Sequence, residues 1–304
     1  MHVAVRTVPV ALALFIATAS YAIEPTFDRT FDAKPGERFS LNTDVGSVKL
    51  TGADVAAVTV HVEASGPSEA MRDFTLTAER TTNGVVVEGH RTAERGWDWM
   101  RPFGDRLRIQ YVIQVPRNFQ VDIRTSGGKL DLANVEGPVD ARTSGGNVRL
   151  SALNGELEIR TSGGDIDAER LQGKMQVRTS GGEIVIRGAD GDLDARTSGG
   201  EIELQALSGK VQARTSGGNI SAQLTDKTTA TALRTSGGNI DIRVPANYAA
   251  AVSARTSGGR VRCDLPFKND GDIGRYRLQG TLNGGGDNHV EAHTSGGNIH
   301  IRAH

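Results

Sequence analysis

The sequence predicts an all-β protein: a right-handed parallel β-solenoid (β-helix) with 18-residue rungs, a rung being one complete turn of the coil, capped by a β-rich N-terminal unit. A pentapeptide recurs at a fixed period, and apolar and polar residues alternate around each copy. The 304 residues include 38 glycines and only 5% aromatic residues, and this glycine content is about twice the usual share. Together these features indicate short strands, tight turns and a core of small aliphatic side chains.

Composition narrows the function before any motif is considered. The 35 Lys and Arg residues are balanced by 36 Asp and Glu residues, whereas a protein that binds nucleic acid in bulk has a strongly basic surface. The single cysteine, Cys263, excludes an internal disulfide framework and a multi-cysteine zinc site. P-loop, dinucleotide-binding and catalytic-triad motifs are absent from the sequence. We therefore expect no nucleic-acid partner and no cofactor.

Residues 1–22 have the order of a secretory signal peptide. A short basic start is followed by an apolar run over residues 8–17 and by small residues at Ser20 and Ala22. A membrane anchor is the alternative, but about ten to twelve apolar residues are too few to span a bilayer. We expect cleavage after Ala22, no transmembrane span in the mature chain, and a location in the periplasm, on the outer cell surface or outside the cell.

The pentapeptide Arg-Thr-Ser-Gly-Gly dominates the chain after residue 120. Six copies follow one another at an unbroken period, two more follow at slightly longer intervals, and a last copy, further along, begins with His instead of Arg. The copies begin at Arg124, Arg142, Arg160, Arg178, Arg196, Arg214, Arg234, Arg255 and His293. Repeats at a short fixed period are typical of solenoid proteins.

Each period has the pattern of two short strands and two tight turns. Val139, Ala141 and Thr143 alternate with polar residues before one glycine pair, and Val148 and Leu150 continue the apolar face after it. We expect the glycine pair to supply the positive φ angles of a sharp corner. An antiparallel meander is the alternative, but a single open sheet rarely exceeds about ten strands. A parallel coil, right-handed like most parallel connections, explains the recurrence better.

Residues 23–118 differ from the repeats and are interpreted as the capping unit, with residues 119–304 forming the solenoid domain. Residues 41–52 look like a degenerate rung with a single glycine, and strand-like alternation follows. A cap of this kind would block edge-to-edge pairing of the coil. Residues 266–286 are rich in Gly and Asp and are expected to form an irregular excursion before a final rung at 289–302.

Three features resemble the bacterial putative-adhesin family, a group of exported domains of unknown function with β-helical repeats. They are the Thr-Ser-Gly-Gly-Asn-Ile repeats, the Ile113-Gln-Val-Pro116 strand before them and the closing Gly280-Thr-Leu-Asn-Gly-Gly-Gly286 segment. The resemblance covers about residues 40–304. It implies interaction at the cell surface or envelope and supplies no catalytic residues.

The repeated arginines form an outward column, here called the arginine column. Acids two residues earlier would offset the repulsion between neighbouring guanidinium groups, and they occur at Asp122, Asp140, Glu158, Asp194 and Glu291. A solvated ladder of mixed charge is the favoured interpretation, and a strip that binds anions is the alternative. The acid is missing at Gln212, Ala232 and Ser253. A polyanion is therefore expected at Arg214, Arg234 and Arg255, with Arg260, Arg262, Lys268, Arg275 and Arg277 close behind in sequence.

Other candidate residues are fewer. The inward Thr of each repeat is expected to bond along the coil, since a nucleophile needs a base at a fixed offset and none recurs. His289, His293 and His300 would share the outward face of the final rung and form a candidate site for Zn²⁺, Ni²⁺ or Cu²⁺. Trp97 and Trp99 would pack in the cap or present an aromatic platform to a sugar or a partner.

The sequence therefore predicts an exported, non-enzymatic, adhesin-like binding or structural module of the bacterial cell envelope. Its expected partners are an acidic polysaccharide, lipopolysaccharide or an envelope protein. The alternative is a carbohydrate-active β-helix enzyme, a polysaccharide lyase or hydrolase. Glycoside cleavage needs a pair of carboxylates at a defined separation, whereas the outward acids are spread over many rungs: Asp131, Asp165, Asp167, Glu183, Glu201 and Glu203.

Overall fold

The computed structural model describes residues 21–22, 24–92, 107–270 and 274–304. These residues form 26 strands, which belong to one continuous sheet, and a single short helix. The all-β prediction is confirmed. Residues 1–20, which hold most of the predicted signal peptide, and Trp97 and Trp99 lie outside the described residues. No helix in the described part of the chain is long and apolar enough to cross a membrane.

Two sides of the coil are built from the strands before and after each glycine pair. The first side contains β9 (Gln120–Thr125), β11 (Val139–Thr143), β13 (Leu157–Arg160), β15 (Met175–Arg178) and β17 (Leu193–Arg196). The second side contains β10 (Leu130–Ala133), β12 (Val148–Asn154), β14 (Ile166–Gln172) and β16 (Ile184–Asp190). The longer β18 (Ile202–Arg214) and β19 (Ile220–Thr235) each run from the second side to the next first side.

Neighbouring strands on each side are parallel, and equivalent residues of successive repeats lie next to each other. Val139 pairs with Val121 and Leu157, and Val148 pairs with Leu130 and Ile166. The inward residues of β9 to β21 are buried and form a single core along the stack. The alternation found in the sequence therefore identifies the core face correctly, whereas the right-handed sense of the coil stays a prediction.

Each second strand bends at a corner that the pattern of two strands and two turns did not include. A residue with positive φ recurs once per rung in this region, at Asn134, Ala152, Arg170, Gly188 and Ala206. The bend turns the residues that follow inward, so that Leu153 and Leu171 are buried and stacked on each other. Ala and Arg carry no turn signature, which is why this third corner was not predicted.

The glycine pairs are needed for close stacking and not, as predicted, for positive φ. Among the repeat pairs only Gly128 has a positive φ. A Cβ on the second glycine of a pair would overlap the backbone carbonyl of the equivalent glycine one rung earlier, as at Gly146 against Gly128. The first glycine is much less crowded, and a Cβ on Gly145 would meet nothing within 4 Å. The corner is thus so tight that neighbouring backbones touch.

The final repeat is not the last rung in space. The remaining strands are β20 (Ile240–Val244), β21 (Ala250–Thr256), β22 (Val261–Cys263), β23 (Phe267–Asn269), β24 (Arg277–Leu282), β25 (Asn288–Thr294) and β26 (Ile299–Ala303). β25 pairs in parallel with both β19 and β21, and β26 pairs with both β20 and β22. The last repeat is therefore inserted between two earlier ones. β24 covers the other edge of β21 in antiparallel register, and β23 pairs with β24.

The N-terminal strands continue the same sheet. They are β1 (Tyr21–Ala22), β2 (Thr26–Asp32), β3 (Arg38–Thr43), β4 (Ser47–Ala53), β5 (Ala57–Ser65), β6 (Phe74–Thr81), β7 (Gly84–Arg91) and β8 (Arg108–Pro116), with helix α1 (Ser68–Arg72). The degenerate rung predicted at 41–52 is present, because β3 and β4 stack in parallel on β9 and β10. β7 and β8 pair in parallel with β3 and β4, and antiparallel pairing joins β2, β5 and β8, and also β1, β6 and β7. The capping role of these strands stays a prediction.

One ion-pair cluster attaches the edge strand β2 to its neighbour β5. His61 on β5 lies opposite Asp28 on β2, with Nδ1 at 2.6 Å from Asp28 Oδ1 and Nε2 at 3.3 Å from Glu63 Oε1. The Asp28 carboxylate, and then that of Glu63, raises the pKa of His61 above its usual value. A raised pKa stabilises the folded state most below about pH 6.5, and this contribution is lost as the pH rises through the raised pKa.

We therefore expect the pKa of His61 in an NMR titration to lie above its ordinary value, and to fall towards that value in Asp28→Asn. Denaturant unfolding should show that His61→Gln costs more stability at pH 5.5 than at pH 8.5. An unchanged titration of His61 in Asp28→Asn would show that the cluster is not formed in solution.

Candidate functional site

A long groove follows the first side of the coil across the rungs. It has a volume of ≈ 990 Å³ and is lined by the Arg, Thr and Ser residues of successive repeats, from Arg124 to Ser236. Asn42, Thr43 and Asp44 close one end, and His293 and Ser295 lie at the other. Since the strands of one sheet lie about 4.8 Å apart, this arginine groove presents one guanidinium group and one serine hydroxyl at each such step.

The groove is electrically balanced at its N-terminal end. Arg124 lies 3.4 Å from Asp122, and Arg142 lies 2.9 Å from Asp140 and 3.4 Å from Glu158. Arg160 also pairs with Glu158. Three guanidinium groups thus face three carboxylates here, as the mixed-charge ladder predicts.

The balance ends in the middle of the groove. Arg178 and Arg196 share one carboxylate, that of Asp194, at 3.6 and 2.7 Å. Arg214 has no carboxylate within 4.0 Å among the described residues, and its buried Nε–H has no acceptor there. The missing acids in the sequence pointed to Arg214, whereas Arg178 and Arg196 were not predicted. Their signal was present in the sequence, since Gln176 stands where other repeats have an acid.

Arg234 is not unpaired as predicted. The inserted strand β25 brings Glu291 beside it, with Arg234 Nη2 at 2.7 Å from Glu291 Oε1. This correction follows from the order of the rungs in space, because Glu291 lies 57 residues later in the chain, beyond the repeat that begins at Arg255.

Arg255 has no acidic partner among the described residues, as predicted. Within the described residues no carboxylate lies within 4.0 Å of it, and it lies between His293 on β25 and Arg277 on β24 in the strand register. Arg277 itself donates to the side-chain oxygen of Gln279 at 2.6 Å. Three basic side chains thus adjoin at this end of the arginine column.

Two of the other predicted basic residues, Arg260 and Arg262, belong to a different side of the coil. Arg260 and Arg262 follow the glycine pair and do not line the groove. Arg262 is paired with Asp264 at 2.6 Å. The predicted anion site is therefore divided, and Arg260 and Arg262 are not part of the groove.

The predicted metal ligands do not come together. Among the described residues no group of three or more His, Cys, Asp or Glu side chains could hold a metal ion. His289 and His293 lie on β25, whereas His300 lies on β26 and bonds to Asp264 at 2.6 Å. The two strands of the final repeat lie on different sides of the coil, which is why histidines of one repeat fail to converge.

The inward threonines bond to backbone groups and not to each other. Thr179 Oγ1 donates to the carbonyl of Gly164 in the preceding rung at 2.9 Å, and the N–H of Gly182 donates to Thr179 Oγ1 at 3.3 Å. The same pair of bonds recurs at Thr143, Thr161, Thr197, Thr215, Thr235, Thr256 and Thr294. Each hydroxyl thus joins two glycine corners, a structural role.

The outward acids on the second side also form hydrogen bonds with residues of the neighbouring rungs. Asp165 Oδ1 accepts a hydrogen bond from the backbone N–H of Glu183 at 3.0 Å, and Asn219 donates to Glu201 Oε1 at 2.7 Å. Partial burial, and then the nearby charges of Glu201 and Asp165, raises the pKa of Glu183 above its usual value. These acids form one stacked row along the corner after the glycine pairs.

Fold and groove together define an all-β repeat module with a regular basic surface. The chain belongs to the Toastrack DUF4097 family, whose model matches residues 37–302. The family resemblance inferred from the repeats is thereby confirmed. No curated protein matches the chain.

Several solved structures are similar to the chain at low sequence identity. A putative lipid binding protein from Parabacteroides distasonis has 14% identity and a TM-score of 0.51, over 91% of this chain and 96% of that one. A putative adhesin from Bacteroides fragilis has 11% identity and a TM-score of 0.41, over 93% and 99%. A putative cell adhesion protein from Clostridium sporogenes has 14% identity and a TM-score of 0.26, over 92% and 100%. The first of these supports the fold and no more.

Proposed function

We propose that the protein is an exported, non-enzymatic, adhesin-like binding module of the bacterial envelope, and that the arginine groove binds an extended anionic polymer such as an acidic polysaccharide. The observation that carries this proposal is the groove itself, a straight row of guanidinium groups that acids balance at one end only. Export rests on the signal-like order of residues 1–22.

The charge along the column supports a preferred position for the ligand. From Arg178 to Arg255 the column has five guanidinium groups, at residues 178, 196, 214, 234 and 255. Among the described residues, two carboxylates, those of Asp194 and Glu291, lie within 4.0 Å of these guanidinium groups. An excess of three positive charges is therefore left for an anion, whereas the part from Arg124 to Arg160 is neutral.

The repeat spacing supports a polymer over a small anion. Guanidinium groups at steps of about 4.8 Å can contact successive acidic groups of one chain, and each such contact gains from the previous one. The serine row beside the arginines carries hydroxyls without a protein partner in the described part of the chain, as at Ser198 and Ser216. Such hydroxyls suit the hydroxyl groups of a polysaccharide.

Acyl chains are a poor match for this surface. The only large hydrophobic side chains exposed among the described residues are those of Val55 and Tyr276, and neither lines the groove. Lipopolysaccharide would therefore bind through its acidic headgroup, with the same chemistry as an acidic polysaccharide. A right-handed coil with 18-residue rungs is part of the proposal.

The test compares two substitutions that are chemically identical. The chain without residues 1–22 is tested for binding to a polyuronate, to lipopolysaccharide and to a neutral glucan, at low and at physiological salt. Arg214→Gln should weaken polyuronate binding about fivefold at low salt, the equivalent of about 1 kcal/mol for one charge contact in water. Arg142→Gln, in the balanced part of the groove, should change it less than about twofold.

Each outcome has a defined meaning. No salt-sensitive binding of the polyuronate or lipopolysaccharide, or equal losses in the two variants, would overturn the proposed groove site. Shortening of the polyuronate during the assay would replace the proposal with the enzyme alternative. Binding of the neutral glucan with equal affinity would show that charge does not select the ligand.

A further inference from the structure

One position of the arginine column holds a histidine. In eight of the nine repeats the pentapeptide begins with Arg, and in the last it begins with His293. The sequence places His293 at the end of the repeat series, but the fold inserts its strand between β19 and β21. His293 therefore stands inside the column, directly beside Arg234 on one neighbouring strand and Arg255 on the other.

The surroundings of His293 are mainly basic. On its own strand β25, Glu291 stands two residues earlier and is engaged by Arg234, and His289 stands two residues before that. On β19 the facing charged group is Arg234, next to the neutral Ala232. On β21 it is Arg255, next to Ser253, with Arg277 and Gln279 beyond on β24. No acid among the described residues lies within 4.0 Å of the His293 ring.

Chemistry distinguishes this position from its neighbours. A guanidinium group stays charged at every physiological pH, whereas an imidazole gains and loses its charge between about pH 5 and 8. Protonation of His293 would join Arg234 and Arg255 into one unbroken basic run, and loss of the proton would interrupt that run. The ring is half-buried at the end of the groove, where a bound polymer would contact it.

We propose that His293 is a pH-sensitive contact of the arginine groove, so that the groove binds its anionic polymer more tightly in mildly acidic surroundings. This inference rests on the proposed function, because it concerns the same groove and the same class of ligand. Other described histidines have different partners: His61 contacts Asp28, His300 contacts Asp264, and His304 contacts the carbonyl of Leu224.

The test uses the residue that the other repeats have at this position. Affinity for a polyuronate is measured at pH 5.5 and pH 8 for the chain without residues 1–22 and for three variants. The unmodified chain should bind about fivefold more tightly at pH 5.5, the effect of one added charge contact. His293→Arg should bind tightly at both pH values, and His293→Gln should bind weakly at both. His289→Gln, on the same strand but outside the groove, should keep the pH dependence.

The outcomes separate the two proposals. If no variant binds the polyuronate at either pH, the proposed function fails. If binding is present but the pH dependence persists in both His293→Arg and His293→Gln, the groove stands and the role of His293 is overturned. Since Arg is the common residue at this position, His293→Arg is expected to fold, and its circular dichroism spectrum and unfolding midpoint check this.

Discussion

Replacing Gly146 with alanine should lower the free energy of unfolding by about 3 kcal/mol or more, whereas replacing the adjacent Gly145 should raise it by about 0.4–1 kcal/mol. A Cβ on Gly146 would overlap the carbonyl group of Gly128 in the preceding rung, and that carbonyl belongs to the backbone and cannot rotate away. A Cβ on Gly145 points into open space. Neither glycine has a positive φ, so the two substitutions differ in crowding alone.

The comparison is made by denaturant unfolding of the two variants. Gly145→Ala is the matched control because it removes the same unfolded-state freedom, a change worth about 0.4–1 kcal/mol in favour of the folded state. Equal destabilisation in both variants would show that the corner needs glycine for its backbone angles, and the close-stacking explanation would be wrong. Gly200→Ala and Gly199→Ala repeat the test three rungs further along, with the same contrast at the second glycine.

The alternation of apolar and polar residues along each strand was enough to predict the core, because it can be recognised from neighbouring residues alone. Val139, Ala141, Val148 and Leu150 are all buried as expected. The bend at Ala152 was not predicted, since alanine has no intrinsic preference for the positive φ that it adopts there.

The order of the rungs could not be predicted for a different reason. Every Thr-Ser-Gly-Gly repeat offers the same stacking surface. The local sequence therefore does not determine whether the strand of Arg255 or the strand of His293 stacks on the strand of Arg234. Glu291 resolves this choice in part, because its contact with Arg234 at 2.7 Å exists only when the last repeat is inserted. The charge pattern of the groove depends on that order, and for this reason the sequence alone placed the free arginines only partly correctly.

Replacing Thr179 with valine should cost about 1–3 kcal/mol of stability, because the variant keeps the shape of the side chain but leaves two backbone groups without their partner. The Gly164 carbonyl would lose its donor at 2.9 Å, and the Gly182 N–H would lose its acceptor at 3.3 Å. Thr179 is buried, so water cannot easily replace either bond.

Thr179→Ser distinguishes the contribution of the hydroxyl group to stability from that of the methyl group. It keeps both hydrogen bonds and loses one buried methyl, worth about 0.8 kcal/mol. Amide hydrogen exchange gives a readout that packing alone would not change: the Gly182 N–H should exchange faster in Thr179→Val and remain protected in Thr179→Ser. Unchanged protection of Gly182 in the valine variant would mean that the threonine ladder contributes only by filling space. Because the same two hydrogen bonds recur at the other repeats, the result at Thr179 applies to each glycine corner at which the backbones of neighbouring rungs touch.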